Sequence, residues 1–263
     1  VSFGHAAFFG VGAYAGTLFI QFGYPWPLAI FLGSAIALLV SVPLGFLTLR
    51  LRGPYFAIAM LGLNEVARIT ATLWVDLTKG GNGITLSPSL LPSLTVNYYL
   101  MLALAVIATA VVARVYHSRF GLELRAIRED EGAAEMVGVN TTRDKLAAFV
   151  LSAMIPGAVG TVSVMYTSYI NPSSAFDPSI NIQMIVMVMF GGTGTVWGPV
   201  LGASIVMLLR EMLWAQFPAL HLAMLGVMLL AVVLFLPGGI MSVFAKKKAV
   251  RPEITAGEGE PRG

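Results

Sequence analysis

Twelve of the chain's 29 charged side chains crowd into residues 114–145, RVYHSRFGLELRAIREDEGAAEMVGVNTTRDK, six basic and six acidic, while almost everything on either side is apolar. A charge at the centre of a bilayer costs about 3 kcal/mol on insertion scales, so burying all twelve would cost roughly 36 kcal/mol. This stretch therefore stands in water. Its flanks do not. The chain is 57% hydrophobic and 11% charged, with a mean hydropathy of +0.83, whereas soluble domains carry about 25% charged residues. The composition is that of an integral membrane protein. Since helices satisfy their own backbone in lipid, the expected class is all-α: a polytopic transmembrane helical bundle.

The charged stretch can itself be helical. Leu124, Ile127, Ala134 and Val137 fall on one face at offsets 0, 3, 10 and 13, and Arg125 with Glu129 makes an i,i+4 pair. Gly138 followed by Asn140 predicts a helix stop. The small residues in GAAEMVG, residues 132–138, suit the close docking of another surface. A short amphipathic helix held between spans is a natural device for receiving a push from a soluble partner, and charged substitutions at Ala133 and Ala134 are expected to break that docking. The alternative is a solvated loop whose basic residues mark the cytoplasmic side.

Apolar runs at residues 3–22, 28–49, 55–74, 97–115, 146–169, 180–190, 197–214 and 220–236 give about eight visible membrane segments. Arg50 and Arg52 close the second run and place that end in the cytoplasm. Alternation puts the charged stretch and the cluster Lys246, Lys247, Lys248 and Arg251 on the same side. The chain is thus read as multi-pass with a cytoplasmic C-terminus: a membrane domain over 1–245 carrying a water-side loop at 116–145, then a disordered tail at 246–263. Val1 already lies within an apolar run, so a preceding piece, including a span, is expected. Trp26 reads as an interfacial anchor, Pro43 as a kink, and Pro156 with Gly157 as a break in the fifth run. Residues 76–96, with an Asn82-Gly83 turn signal, and 171–178 are expected outside.

Within the spans, Gly12 with Gly16 and Gly198 with Gly202 have the spacing that lets membrane helices approach closely. The third run holds Asn64, Glu65 and Arg68. Ionisable groups at this depth face protein or water and are functional candidates. Two readings stay open: a structural Glu65–Arg68 pair, or a role in the solute path. The run at 180–190 is short of the roughly 20 residues a span needs, and GGTGTVWGP follows it. Gly191, Gly192, Gly194, Trp197, Gly198 and Pro199 are therefore expected to form a broken-helix or re-entrant element, with a tight turn between two spans as the alternative. The shared aromatic-glycine steps Phe9-Gly10 and Trp197-Gly198 hint at an internal repeat.

No cysteine is present, and no GxxxxGK[ST] loop, HExxH or Gly-x-Ser-x-Gly occurs. The glycines at 10 and 12 with Ala15 match a dinucleotide fingerprint, but no βαβ unit surrounds them. The expectation is a non-enzymatic chain with no cofactor, no metal and no nucleic-acid partner, its lipid contacts aside.

Five stretches carry a resemblance: SFGHAAFFGVGAY from Ser2, LRGPYFAIAMLGLNEVARI from Leu51, KGGNGIT from Lys79, FGLELRAIREDEGAAEMVGVNTTRDKLAAFVLSA from Phe120, and FGGTGTVWGPVLGA from Phe190. Together they resemble the permease subunits of branched-chain amino-acid ABC transporters, the LivM type. The resemblance implies an importer for hydrophobic amino acids in a bacterial inner membrane. Its implied partners are a second permease subunit, two ABC ATPase subunits that hydrolyse the ATP, and an external substrate-binding protein, and its implied motion is alternating access. It further implies a cytoplasmic coupling loop patterned as EAA, three residues, then Gly. Gly132, Ala133, Ala134 and Gly138 occupy those positions, with Gly132 where Glu is usual and Glu131 beside it; Leu124 and Ile127 belong to the same coupling surface. A sister permease for urea or short amides and an ion-coupled secondary transporter are the rival readings.

Overall fold

The computed structural model describes residues 3–51 and 53–216. The run at 220–236, the basic cluster and tail beyond it, and Arg52 lie outside the described residues. In chain order come α1 (His5–Gln21), α2 (Trp26–Thr48), α3 (Pro54–Leu73), α4 (Val75–Thr78), β1 (Ile84–Thr85), α5 (Leu94–Tyr116), α6 (Arg119–Glu129), α7 (Glu131–Met136), α8 (Thr141–Thr167), β2 (Tyr169–Ile170), α9 (Pro172–Ala175), α10 (Pro178–Gly191) and α11 (Gly198–Gln216). The apolar runs among the described residues therefore become helices, with ends displaced by a few residues. Four of them, α2, α3, α5 and α8, are long and apolar enough to cross a membrane. With 17 residues in α1 and 14 in α10, against the roughly 20 a crossing takes, the expected count of about eight is not carried by the described helices alone.

The described residues fall into two compact units, divided between residues 185 and 186. In the first, α1, α2 and α8 pack closely on one another, and small residues are the reason. A Cβ on Gly12 would land on the Gly157 carbonyl, and one on Gly160 would land on the carbonyl of Phe9. The Thr161 hydroxyl donates to the Gly12 carbonyl at 2.9 Å, and Ser34 donates to Met154 O at 2.9 Å. Lipid tails are as apolar as the helices, so close contact and hydrogen bonds of this kind, rather than hydrophobic burial, hold such helices together. Phe8 and Phe149 meet edge-on at 5.4 Å, with Ala37, Met60 and Ala153 completing that part of the core.

The break expected at Pro156 is absent: α8 continues through it. α2 likewise runs on through Pro43, where a kink is expected. A proline removes one backbone hydrogen bond, but Gly157, Ala158 and Gly160 let two neighbouring helices clasp α8 along that same stretch, and tertiary packing outweighs the local penalty. At the end of α8 remote from the charged connection, β1 pairs antiparallel with β2, Ile84 opposite Ile170 and Thr85 opposite Tyr169. The Tyr169 hydroxyl adds a bond to Asn82 O at 3.1 Å. The loop expected outside at 76–96 is thus stitched to the chain at Tyr169 and Ile170, just before the second expected loop at 171–178. At the other end, Arg50 lines one pocket with Glu131, Glu135 and Lys145, so the end of α2 and the charged connection share a face. The N-terminus of α1 is closed from a distance: Asn181 Oδ1 accepts from the Ala6 N–H at 2.9 Å, and its Nδ2 donates to Phe3 O at 2.6 Å.

In the second unit, the glycine-rich element is a tight turn between two helices. Gly192 and Gly194 take φ of 115° and 83°, and Thr195 Oγ1 accepts from Gly198 N at 3.0 Å. A Cβ on Gly191 would strike the Gly198 carbonyl, and one on Gly202 the Met187 carbonyl. The second glycine pair thus sets a close approach too.

Candidate functional site

The charged connection is two helices, not one. Ser118 caps α6 by accepting from Gly121 N at 3.1 Å. Asp130 then leaves the helix, with φ −154° and ψ 113°, and its side chain caps α7 through Ala133 N at 2.9 Å. An aspartate at this position competes for the backbone it would otherwise continue. The single face expected from Leu124 to Val137 is therefore divided: Leu124 and Ile127 are half-buried on α6, while Ala134 belongs to α7. Arg125 departs from expectation as well. Its guanidinium lies 4.8 Å over the Tyr116 ring and its Nε donates to Gly121 O at 3.2 Å, which is where an arginine finds both a π-face and a carbonyl.

α7 ends as expected at Gly138, and the reason is visible. Gly138 N bonds to Glu135 O at 3.0 Å and Val139 N to Ala134 O at 3.1 Å, with Gly138 at φ 90°. That pair of bonds is a Schellman stop, whose left-handed position favours glycine. Asn140 starts α8 at once by accepting from Arg143 N at 3.1 Å. The reversal leaves Met136 and Val137 at its apex, 85% and 78% exposed. Ala134, by contrast, is 3% exposed and turned inward, and Ala133 is outward. α7 is tied to α8 by two contacts: Lys145 Nζ to Glu131 Oε1 at 2.5 Å, and Thr141 Oγ1 to Glu135 Oε1 at 2.6 Å. Composition singled out the alanines; Val137 was placed on the same face as Ala134, and the exposed Met136 beside it went unmarked. Two adjacent apolar residues immediately before a glycine stop were the available signal.

On α3, Asn64, Glu65 and Arg68 do not converge. Asn64 is buried at 1% exposure and donates from Nδ2 to Phe176 O at 2.8 Å. Arg68 and Glu65 are half-exposed and fully engaged with each other, Nε to Oε2 at 2.9 Å and Nη2 to Oε1. The bidentate fork satisfies both groups within one helix turn. Single charge-removing substitutions of Glu65 or Arg68 are expected to lower the yield of detergent-stable protein. The exchanged double variant, Glu65→Arg with Arg68→Glu, should restore it, as read by gel filtration and melting midpoint. The glycines of the second unit, Gly191, Gly192 and Gly198, are buried in their hairpin, whereas Gly194 and Trp197 stand exposed at its turn and Pro199 is half-buried. Among the described residues no cluster of three or more His, Cys, Asp or Glu is placed to hold a metal.

Apolar spans, a water-side helical connection and glycine-packed helices define the arrangement, and one comparison assigns it. The profile described as branched-chain amino acid transport system, permease component, matches residues 1–233. The chain belongs to this permease family. Among curated proteins, the permease is 29% identical to the high-affinity branched-chain amino acid transport system permease protein LivM of Salmonella typhimurium, over 99% of this chain and 66% of that relative. LivM of Escherichia coli is 28% identical over the same shares. The autoinducer 2 import system permease protein LsrC of an Enterobacter species is 27% identical, over 84% of this chain and 68% of its own length. The permease chain thus spans just under two thirds of the LivM relatives. No solved structure matches it significantly. The family and the four apolar helices make it a multi-pass membrane protein.

Proposed function

We propose that the chain is the membrane-spanning permease subunit of an ATP-driven importer for branched-chain, hydrophobic amino acids. The observation that carries this reading is the match to LivM along 99% of the chain, in a family whose profile runs through every described span. The implied assembly has a second permease subunit, two ATPase subunits and an external binding protein. The charged connection then faces the cytoplasm, with residues 1–245 as the membrane domain and 246–263 as a cytoplasmic tail. α6 and α7 dock the ATPase. Closure of the ATPase pair on ATP moves α7, and the Lys145–Glu131 and Thr141–Glu135 contacts pass that movement to α8. A ligand shifts a conformational equilibrium only through differential affinity for its two states; ATP at the partner supplies that difference, and alternating access is the result.

A second reading keeps the transport role and changes the cargo, and the likeness to the autoinducer 2 permease supports it. One preparation separates the readings. The full-length chain is purified in mild detergent with its native membrane partners and reconstituted in vesicles. Recovery of an ATPase and ATP-dependent uptake of labelled leucine, isoleucine and valine is the expected result. An ATPase without amino-acid uptake favours the second cargo class. Uptake driven by an ion gradient, with no ATPase recovered, overturns the ABC reading.

A further inference from the structure

The pocket that Arg50 shares with the charged connection encloses about 360 Å³, within the range of about 300–1,000 Å³ usual for small-ligand sites. It joins the end of α2 to α7 and the start of α8, where an apolar span meets the water-side helices. Phe46, Leu49 and Leu146 line it with apolar surface. Arg50, Glu131, Glu135 and Lys145 bring two charges of each sign to the same space.

Much of that charge is already engaged: Lys145 bonds to Glu131, and Glu135 Oε1 accepts from Thr141. One group of each sign is left over. Arg50 lies 4.5 Å over the Phe46 ring and enters no ion pair among the described residues, and a stacked guanidinium keeps its in-plane N–H donors. Glu135 Oε2 has no hydrogen-bond partner among the described residues. A strip of apolar surface leads away from these two charges. Leu39, Val42 and Phe46 are exposed and, spaced three and then four residues apart, share one face of α2. The strip follows the helix for about 10 Å from the pocket toward the middle of α2.

We infer that this pocket seats the headgroup of a phospholipid bearing a primary amine, its phosphate on the Arg50 guanidinium, its ammonium group on Glu135 Oε2, and one acyl chain along Leu39, Val42 and Phe46. The inference needs only that α2 crosses the membrane and is independent of the cargo. A guanidinium takes a phosphate through two parallel N–H bonds, and a primary ammonium group has three donors for carboxylates. Pockets between spans at the water boundary are where lipid headgroups are held. The lining's charges balance, which suits a headgroup of zero net charge and opposes an anionic one. A small soluble zwitterion would satisfy Arg50 and Glu135 but leave the α2 strip bare. The lipid ties the end of α2 to α7 across the pocket.

The test is native mass spectrometry of the full-length chain, released from nanodiscs holding equal amounts of phosphatidylethanolamine, phosphatidylcholine and phosphatidylglycerol. All three carry the phosphate, but phosphatidylcholine has no N–H on its ammonium group and phosphatidylglycerol has no amine. Phosphatidylethanolamine should be retained about tenfold over each of the others, the effect of one hydrogen bond to a charged group. Glu135→Gln removes the charge and leaves an amide oxygen for Thr141; it should erase the preference at an unchanged melting midpoint. Arg50→Lys keeps the positive charge at this end of α2 and loses the planar fork, and should weaken all three lipids alike. Equal retention of the three lipids by the parent overturns the site, as does a preference for phosphatidylglycerol or a preference that survives Glu135→Gln. Displacement of the lipid by soluble glycerophosphoethanolamine overturns the acyl-chain contact, and with it the lipid as occupant. If Glu135→Gln lowers the melting midpoint, Arg50→Lys carries the test, and undiminished lipid retention in that variant overturns the site.

Discussion

If α7 docks an ATPase as proposed, Met136→Asp combined with Val137→Asp should abolish ATP-dependent uptake and co-purification of the ATPase, while the chain still inserts and melts as the parent does. The two side chains are 85% and 78% exposed at the apex of the α7 turn. Burying a side chain of this size against a partner contributes about 1.5–3 kcal/mol, so losing two and desolvating two carboxylates instead weakens docking by well over a hundredfold. Within the chain itself the pair touches little, and surface substitutions of this sort change stability by about 0.5 kcal/mol or less. Ala134→Asp is the instructive contrast. Ala134 is buried at the α7 stop, so a carboxylate there unfolds the turn before any docking is tested. Uptake that survives the double substitution would remove α7 as the docking point. A lowered melting midpoint would show the pair to be internal packing.

Gly12→Val should leave almost no monodisperse protein in detergent. A Cβ at Gly12 would coincide with the Gly157 carbonyl, which belongs to backbone and cannot swing aside. Thr161 loses its bond to Gly12 O when α1 and α8 separate. Overpacking of side chains costs about 1–3 kcal/mol; a clash between two backbones exceeds that, in a protein class whose whole stability is about 5–15 kcal/mol. Gly62→Ala is the matched control. Gly62 is also helical, on α3, but nothing lies within 4 Å of its would-be Cβ, and the better helix propensity of alanine should leave stability equal or higher by up to about 1 kcal/mol. Thermal unfolding followed by light scattering reads both. A Gly12→Val chain as stable as the Gly62→Ala chain would refute the backbone contact.

Hydropathy made the helices legible, because apolar length decides what a bilayer accepts, and the run at 28–49 differs from α2 by only a few residues at its ends. The glycine pair at 12 and 16 and the stop at Gly138 were legible for a related reason, since glycine's missing side chain has local and specific uses. What escaped depended on distant partners. Nothing near Pro156 announces that α1 and α2 clasp α8 there. Asn181 caps a helix 175 residues earlier in the chain, and no spacing rule reaches so far. Asp130 was counted among the charges that keep the connection in water, while its capping bond to Ala133 splits that connection in two. The charged connection was therefore legible as a helical region but not as a single face: of the alanines that drew attention, Ala134 points inward and Ala133 sits outward near the apolar pair that protrudes.

α8 runs 27 residues, about 40 Å at 1.5 Å per residue, from the α7 turn at one end to the β1–β2 pairing at the other. Clasped by α1 and α2 through backbone contacts, it has no freedom to slide alone. In the coupling proposed above, torque applied at Glu131 and Lys145 would be felt by a three-helix block rather than by α8 alone. Three glycines stand at the edges of that block. Gly23, Gly53 and Gly138 all hold positive φ with no atom within 4 Å of where a Cβ would sit, and they occupy the α1–α2, α2–α3 and α7–α8 junctions. On that proposal these three junctions, rather than the block itself, would take up the bending.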